Sequence, residues 1–181
     1  MASSFEIKST RPSVGETIVT IVRDHIDYRK QIFKLAGSDL RRTYRASALG
    51  WSWAIIKPLV TIFVYWFAFA IGLRRGGDIE GYPFVLWLIS GIVPWFYMSE
   101  MLTLGTECIL RNRYLVTKMK YPVSTIPTFT SISKFSVHLI LMMITIFIFV
   151  ITGNELTIYL VQLAFYMLCN FLFFTGWAMF A

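Results

Sequence analysis

WAIIKPLVTIFVYWFAFAIGL, from Trp53 to Leu73, is an unbroken apolar stretch whose single charge is Lys57. About 20 such residues let a helix cross a hydrocarbon core about 30 Å thick. The stretch is continuous rather than alternating, and lipid offers no partners for exposed backbone groups, so a helix is the expected form. Three further runs follow. The second spans Tyr82 to Leu102, and the third Phe135 to Thr152, with its start as early as Ile126. The fourth runs from Leu156 to the last residue, Ala181. The 181-residue chain is 56% hydrophobic and only 15% charged, with a mean hydropathy of +0.62. Soluble domains carry about 25% charged residues, so this composition lacks the polar surface of a soluble fold. The reading is an all-α integral membrane protein with about four transmembrane helices.

Cation placement sets the expected orientation. Lys8, Arg11, Arg23, Arg29, Lys30, Lys34, Arg41, Arg42 and Arg45 precede the first span, and Arg111, Arg113, Lys118 and Lys120 follow the second. The loop between those spans balances Arg74 and Arg75 with Asp78 and Glu80, and the turn Gly153-Asn154-Glu155 has no cation. The positive-inside rule puts the N-terminus and the 103–125 loop in the cytoplasm. The first 48 or so residues hold no sustained apolar core of the kind a signal peptide needs. The net charge of +7 then favours anionic headgroups and cytoplasmic loops over nucleic acid, for which no reading module is present.

The chain divides into a cytoplasmic N-terminal segment (1–27), an amphipathic unit (28–48) and the transmembrane region (49–181), with spans at 53–73, 82–102, 126–152 and 156–181. On a helical wheel, Tyr28, Ile32, Phe33, Leu35, Ala36, Leu40 and Tyr44 share one half of the amphipathic unit. Lys30, Lys34, Arg41, Arg42 and Arg45 share the other. That pattern fits a helix in the headgroup plane; packing on a neighbouring domain is the alternative. Gly37-Ser38 reads as a break, with Ser38 capping a second piece from Asp39.

Catalytic signatures are absent: no GxxxxGK[ST] loop, HExxH or GxSxG occurs. His25 and His138 are far apart and read as packing or interfacial residues. Cys108 and Cys169 lack metal-ligand spacing and read as apolar fillers. Lys57 and Glu100 sit at similar depths. Interfacial anchoring of each is the simpler reading, and an ion pair between them the alternative. The aromatics Tyr65, Trp66, Phe69, Trp95, Phe96 and Tyr97 are candidates for a conduit on which sugar rings stack, against a default of facing lipid. In the 103–125 loop, a short basic helical stretch stopped by Pro122 is suited to docking in a groove of a soluble partner, with an ordinary solvated loop as the alternative.

Two stretches carry a resemblance. One is Gly91-Ile-Val-Pro94-Trp95-Phe96 followed by Asn112-Arg-Tyr-Leu115-Val-Thr-Lys118-Met-Lys-Tyr-Pro122 and Ile126-Pro127. The other is Asp39-Leu-Arg-Arg-Thr-Tyr44 running on through Leu49-Gly-Trp-Ser-Trp53 to Lys57-Pro58. In this order they resemble the permeases of ABC transporters that export polysaccharides, O-antigens and teichoic acids. The match covers roughly residues 30–155. Ser38 stands where that family often has Arg, which puts any role of that cation in doubt here.

The resemblance implies a six-span permease working as a homodimer in the bacterial cytoplasmic membrane. This chain stops inside its fourth run and is expected to be a fragment of such a protein. No cofactor is expected on the chain itself; ATP and Mg would sit on a separate ABC ATPase subunit. Residues Ile109, Arg111, Asn112, Arg113, Tyr114, Leu115 and Lys118 would form the ATPase-coupling segment. Asp39, Arg41, Arg42 and Arg45 would lie near the head group of a lipid-linked glycan, the cations attracting its phosphates. Competing readings are a membrane enzyme acting on lipid-linked intermediates and a scaffold that only recruits partners.

Overall fold

A computed structural model describes residues 13–45, 49–72, 77–79, 81–119, 121–153 and 158–181. Lys8, Arg11, Arg74, Arg75, Glu80, Lys120, Asn154 and Glu155, together with residues 46–48, lie outside the described residues.

Helix α1 (Val14–Asp27) opens where the Ser13 N–H donates to the Glu16 carboxylate at 2.9 Å. The chain turns at Tyr28 and continues as α2 (Arg29–Tyr44). The break expected at Gly37–Ser38 does not occur. Ile32, Ala36 and Asp39 are buried on both sides of it, and such packing outweighs the roughly 1 kcal/mol that glycine costs a helix. The apolar half of α2 is divided. Ile32 and Ala36 join a core with Cys108, Leu115, Tyr121, Ile126 and Phe129, whereas Phe33 stays exposed.

Among the described residues, four helices have the length and composition to cross a membrane: Trp53–Gly72, Phe84–Gly105, Val123–Ile151 and Leu160–Phe180. Regular α-helix within them covers Trp53–Trp66 (α3), Phe84–Glu100 (α4), Ile126–Ile151 (α7) and Leu160–Phe180 (α8). The last turns of α3 and α4 widen to π-helix over Phe67–Gly72 and Met101–Gly105. Between α4 and α7 lie two short helices, α5 (Cys108–Arg111) and α6 (Arg113–Met119).

Helix α7 is the axis of the molecule, touching α2, α3, α4, α5 and α8. Pro127 at its start suits a helix N-terminus because its missing N–H leaves nothing unbonded there. Ala54, Ile62, Ile89, Val93, Val137, Leu141 and Met142 join α3, α4 and α7. Tyr97, Met101, Phe174 and Ala178 join α4 to α8. Outward faces are apolar as well: Val60, Phe63 and Val64 on α3 and Val161, Phe165, Leu172 and Phe173 on α8 are exposed. A bundle apolar both inside and out is an all-α integral membrane protein.

Candidate functional site

Three regions carry the chemistry. The first is a cavity of about 220 Å³ among α2, α3, α4 and α7. Its wall includes Tyr44, Lys57, Ser99, Glu100, Lys134 and His138 beside Trp53, Phe96, Val137 and Leu141. Lys134 is 4% exposed, and its Nζ lies 3.7 Å from Glu100 Oε2. Glu100 therefore pairs across to α7, while Lys57 shares the cavity without an ion pair among the described residues. Lys134 is the site residue that a reading of the third run from Phe135 leaves at its margin. The signal was there, since Lys134 is the lone charged residue of α7 and a charge within a span is a functional candidate by default. Tyr44, at the end of α2, has its phenol pushed above the ordinary value by burial and by the Glu100 carboxylate, so it stays a neutral donor.

His138 is buried, and its Nδ1 has no hydrogen-bond partner. His25 is a structural tie instead. Its ring nitrogens sit 2.7 Å from the Ile21 carbonyl and 2.7 Å from Thr128 Oγ1, fastening α1 to α7. Beside it Ser124 Oγ donates to Asp24 at 2.8 Å.

The second region is the α5–α6 segment. Its two helices part at Asn112, whose side chain turns inward: Nδ2 donates to the Cys108 carbonyl at 2.9 Å, and Oδ1 accepts from Arg42 at 3.1 Å. Arg42 also reaches Asp39 at 3.3 Å. Asn112 and Leu115 are buried, while Ile109, Arg111, Arg113, Tyr114 and Lys118 face outward. The segment thus has an inner side seated on α2 and α7 and an outer basic, aromatic side. Of the four residues assigned to head-group contact, Arg42 and Asp39 belong to this interhelical link. Arg41 and Arg45 border an open groove with Leu40 and Tyr44.

The third region is aromatic. Tyr65, Phe69, Trp87 and Trp95 line one open groove between α3 and α4, with Tyr65 and Phe69 stacked at 6.5 Å. The other conduit candidates lie elsewhere. Trp66 packs on Phe63 at 5.9 Å, and Phe96 faces the polar cavity. Tyr97 is 2% exposed, so it lies inside the bundle. Its hydroxyl is 2.9 Å from Ser131 Oγ, which is 2.6 Å from Thr175 Oγ1, and Thr175 donates to the Phe171 carbonyl at 2.7 Å. A hydroxyl has one proton and the carbonyl only accepts, so the donors run in one direction, Tyr97 to Ser131 to Thr175 to Phe171.

No protein-family profile matches the chain. It is similar to the O-antigen export system permease protein RfbA of Myxococcus xanthus, 29% identical over 130 residues. That match covers 70% of this chain and 48% of the relative. Two RfbA permeases of Klebsiella pneumoniae are 28% and 27% identical over 93 residues, 51% of this chain and 34% of each relative. The chain spans about half the length of the first of these curated relatives and about a third of the others.

Proposed function

We propose that this chain is the transmembrane subunit of an ATP-driven ABC exporter that moves a lipid-linked polysaccharide across the bacterial cytoplasmic membrane. The observation that carries the reading is the similarity to O-antigen export permeases over 70% of the chain, in a protein with four membrane-length helices. ATP and Mg are handled by a separate ATPase, the permease works as a homodimer, and α1, α2 and the α5–α6 segment face the cytoplasm.

In this reading the ATPase docks on the outer side of α5–α6, against Arg111, Arg113, Tyr114 and Lys118. Its closure displaces the segment, and two connections pass the movement inward. Asn112 pulls on Arg42 of α2, and Cys108 and Leu115 press on the core shared with α7. The bundle then shifts between inward- and outward-facing states. Sugar rings pass along the groove of Tyr65, Phe69 and Trp95.

Co-purification of full-length protein with its ATPase from mild detergent tests the docking surface. Arg113→Glu and Tyr114→Ala alter exposed side chains, so the fold is expected to survive while ATPase recovery falls at least about tenfold, as for a lost hot-spot contact. Restoration of surface polymer in a strain lacking its native exporter tests the transport activity. If polymer does not return although the complex assembles, the export reading fails. A second reading, a membrane enzyme on lipid-linked intermediates, draws on Glu100 and His138 sharing one cavity. Turnover of labelled lipid by the purified chain without ATP is its test.

A further inference from the structure

Helix α1 leaves its apolar side uncovered. Val14, Ile18, Val19, Val22 and Ile26 are each more than half exposed. At 100° per residue they fall within an arc of about 140°. The helix is fastened near its C-terminal end by polar groups instead, His25 to Thr128 and Asp24 to Ser124, with Ile21 and Tyr28 half-buried beside them. An amphipathic helix held by its polar groups, with its apolar arc outward, is shaped to lie in an apolar groove of a partner.

Two observations argue against hydrocarbon as the cover. The span that receives α1 runs from Val123 to Ile151, 29 residues, which is about 43 Å at 1.5 Å per residue and exceeds a hydrocarbon core of about 30 Å. Thr125, Thr130, Ser131, Ser133 and Lys134 crowd its first half, whereas Thr145 is the one polar residue from Leu139 to Ile151. The excess length therefore projects at the Val123 end, where Ser124 and Thr128 hold α1. Charge points the same way. Helices that lie on membranes carry Lys and Arg on their polar face, but α1 has one Arg against Glu16, Asp24 and Asp27. That cation, Arg23, is already paired with Asp27 at 3.6 Å.

The position of α1 selects the partner. The corner between α1 and α2 meets the chain just beyond α6, where Tyr28 packs edge-to-face on Tyr121 at 5.5 Å. Met119 and Val123, on either side of Tyr121, are exposed, and the short turn Val123–Thr125 touches α1. Apolar surface thus runs on from α1 to the outer side of α6.

We propose that α1 is a second docking element for the ATPase, its apolar arc seated in an apolar groove whose basic rim meets Glu16 and Asp27. The identity of the partner rests on the exporter reading above, in which α5–α6 is the docking surface.

Photocrosslinking in the full-length permease, co-expressed with its ATPase and reconstituted in nanodiscs, tests this. Benzoylphenylalanine is placed singly at Val22 in the arc, at Thr20 on the opposite, exposed side of α1, and at Tyr114 on α6. The expected result is ATPase captured from Val22 and Tyr114 and not from Thr20. Ile18→Gln combined with Val22→Gln should lower ATPase recovery at least about tenfold, because two apolar side chains lose their buried contact. Gln is a better helix former than either residue it replaces, so α1 persists, and Thr20→Gln should leave recovery unchanged. Capture from Tyr114 but not from Val22 overturns the role of α1 and leaves the exporter reading standing. Capture from neither overturns both. Lipid, or a second permease copy, caught at Val22 in place of the ATPase assigns the arc to the bilayer or to the homodimer and overturns the proposal.

Discussion

Lys134 is a charge that sequence places in an apolar helix and that only its neighbours make tolerable. Burying an ammonium costs several kcal/mol unless a counter-charge compensates, and Glu100 is that counter-charge at 3.7 Å. Glu100 is 39% exposed, so the pair falls between an exposed one and a fully buried one, and losing the carboxylate costs about 1–2 kcal/mol. Glu100→Gln is therefore expected to lower the unfolding temperature in detergent. Glu100→Gln combined with Lys134→Met should recover part of that loss, because no uncompensated charge remains. A double variant as unstable as the sum of the singles would show that the two groups do not interact. Cys108 makes a second residue-scale prediction. It is 1% exposed, and burial pushes its thiol up to about 11. Alkylation at pH 8 should then run roughly a hundredfold slower than in the denatured chain, whose thiol titrates near 8.5. The unfolded thiol ionises first, so the stability contributed here is intact at neutral pH and declines as pH rises from about 8.5 toward about 11. Alkylation of Cys108 at the denatured rate in the folded protein would refute the burial.

At the scale of helices, the end of α4 comes close to α8. A Cβ built on Gly105 would stand 3.1 Å from Ala178 Cβ and 3.2 Å from Met101 Cε. The Met101 methyl can swing away, but Ala178 Cβ is fixed to its helix backbone. Gly105→Ala therefore sets a gain of up to about 1 kcal/mol in helix propensity against a similar crowding cost, leaving a small net change. Gly105→Val adds two more methyls and is expected to cost about 2 kcal/mol, read as a lower unfolding temperature and faster proteolysis of α8. A Val variant as stable as the wild type would show that α8 does not dock there. Sequence alone read these spans to within a few residues, because each is a long apolar run with few charges. It read α1 less well. Val14, Ile18, Val22 and Ile26 recur at helical spacing there, but scattered charges between them obscured the pattern.

Across the whole molecule, α4, α7 and α8 are held in register by the hydroxyl relay from Tyr97 through Ser131 to Thr175. Thr175→Val removes the acceptor of the Ser131 proton and should cost about 1–3 kcal/mol, the penalty of a buried unsatisfied group. Tyr97→Phe breaks the first step of the same chain. The two together should cost less than the sum of the singles, since the groups act as one network. Strict additivity in thermal unfolding would argue against a connected relay. The six conduit candidates divide among four places. Tyr65, Phe69 and Trp95 share a groove, Trp66 packs on Phe63, Phe96 turns to the polar cavity, and Tyr97 is an interior strut.

The amino-acid sequence by itself determined the class and the number of membrane-length helices, because hydrophobic length is a one-dimensional property that a bilayer reads directly. It also carried the similarity to O-antigen export permeases, which is a property of the linear chain. The partners of each polar group were decided by tertiary structure alone. That Glu100 meets Lys134 rather than Lys57, that Arg42 meets Asn112, and that His138 keeps a free nitrogen all depend on how helices distant in sequence rotate against one another. Rotation is fixed by side chains packing on α7 from several sides at once, and a linear pattern contains no term for it.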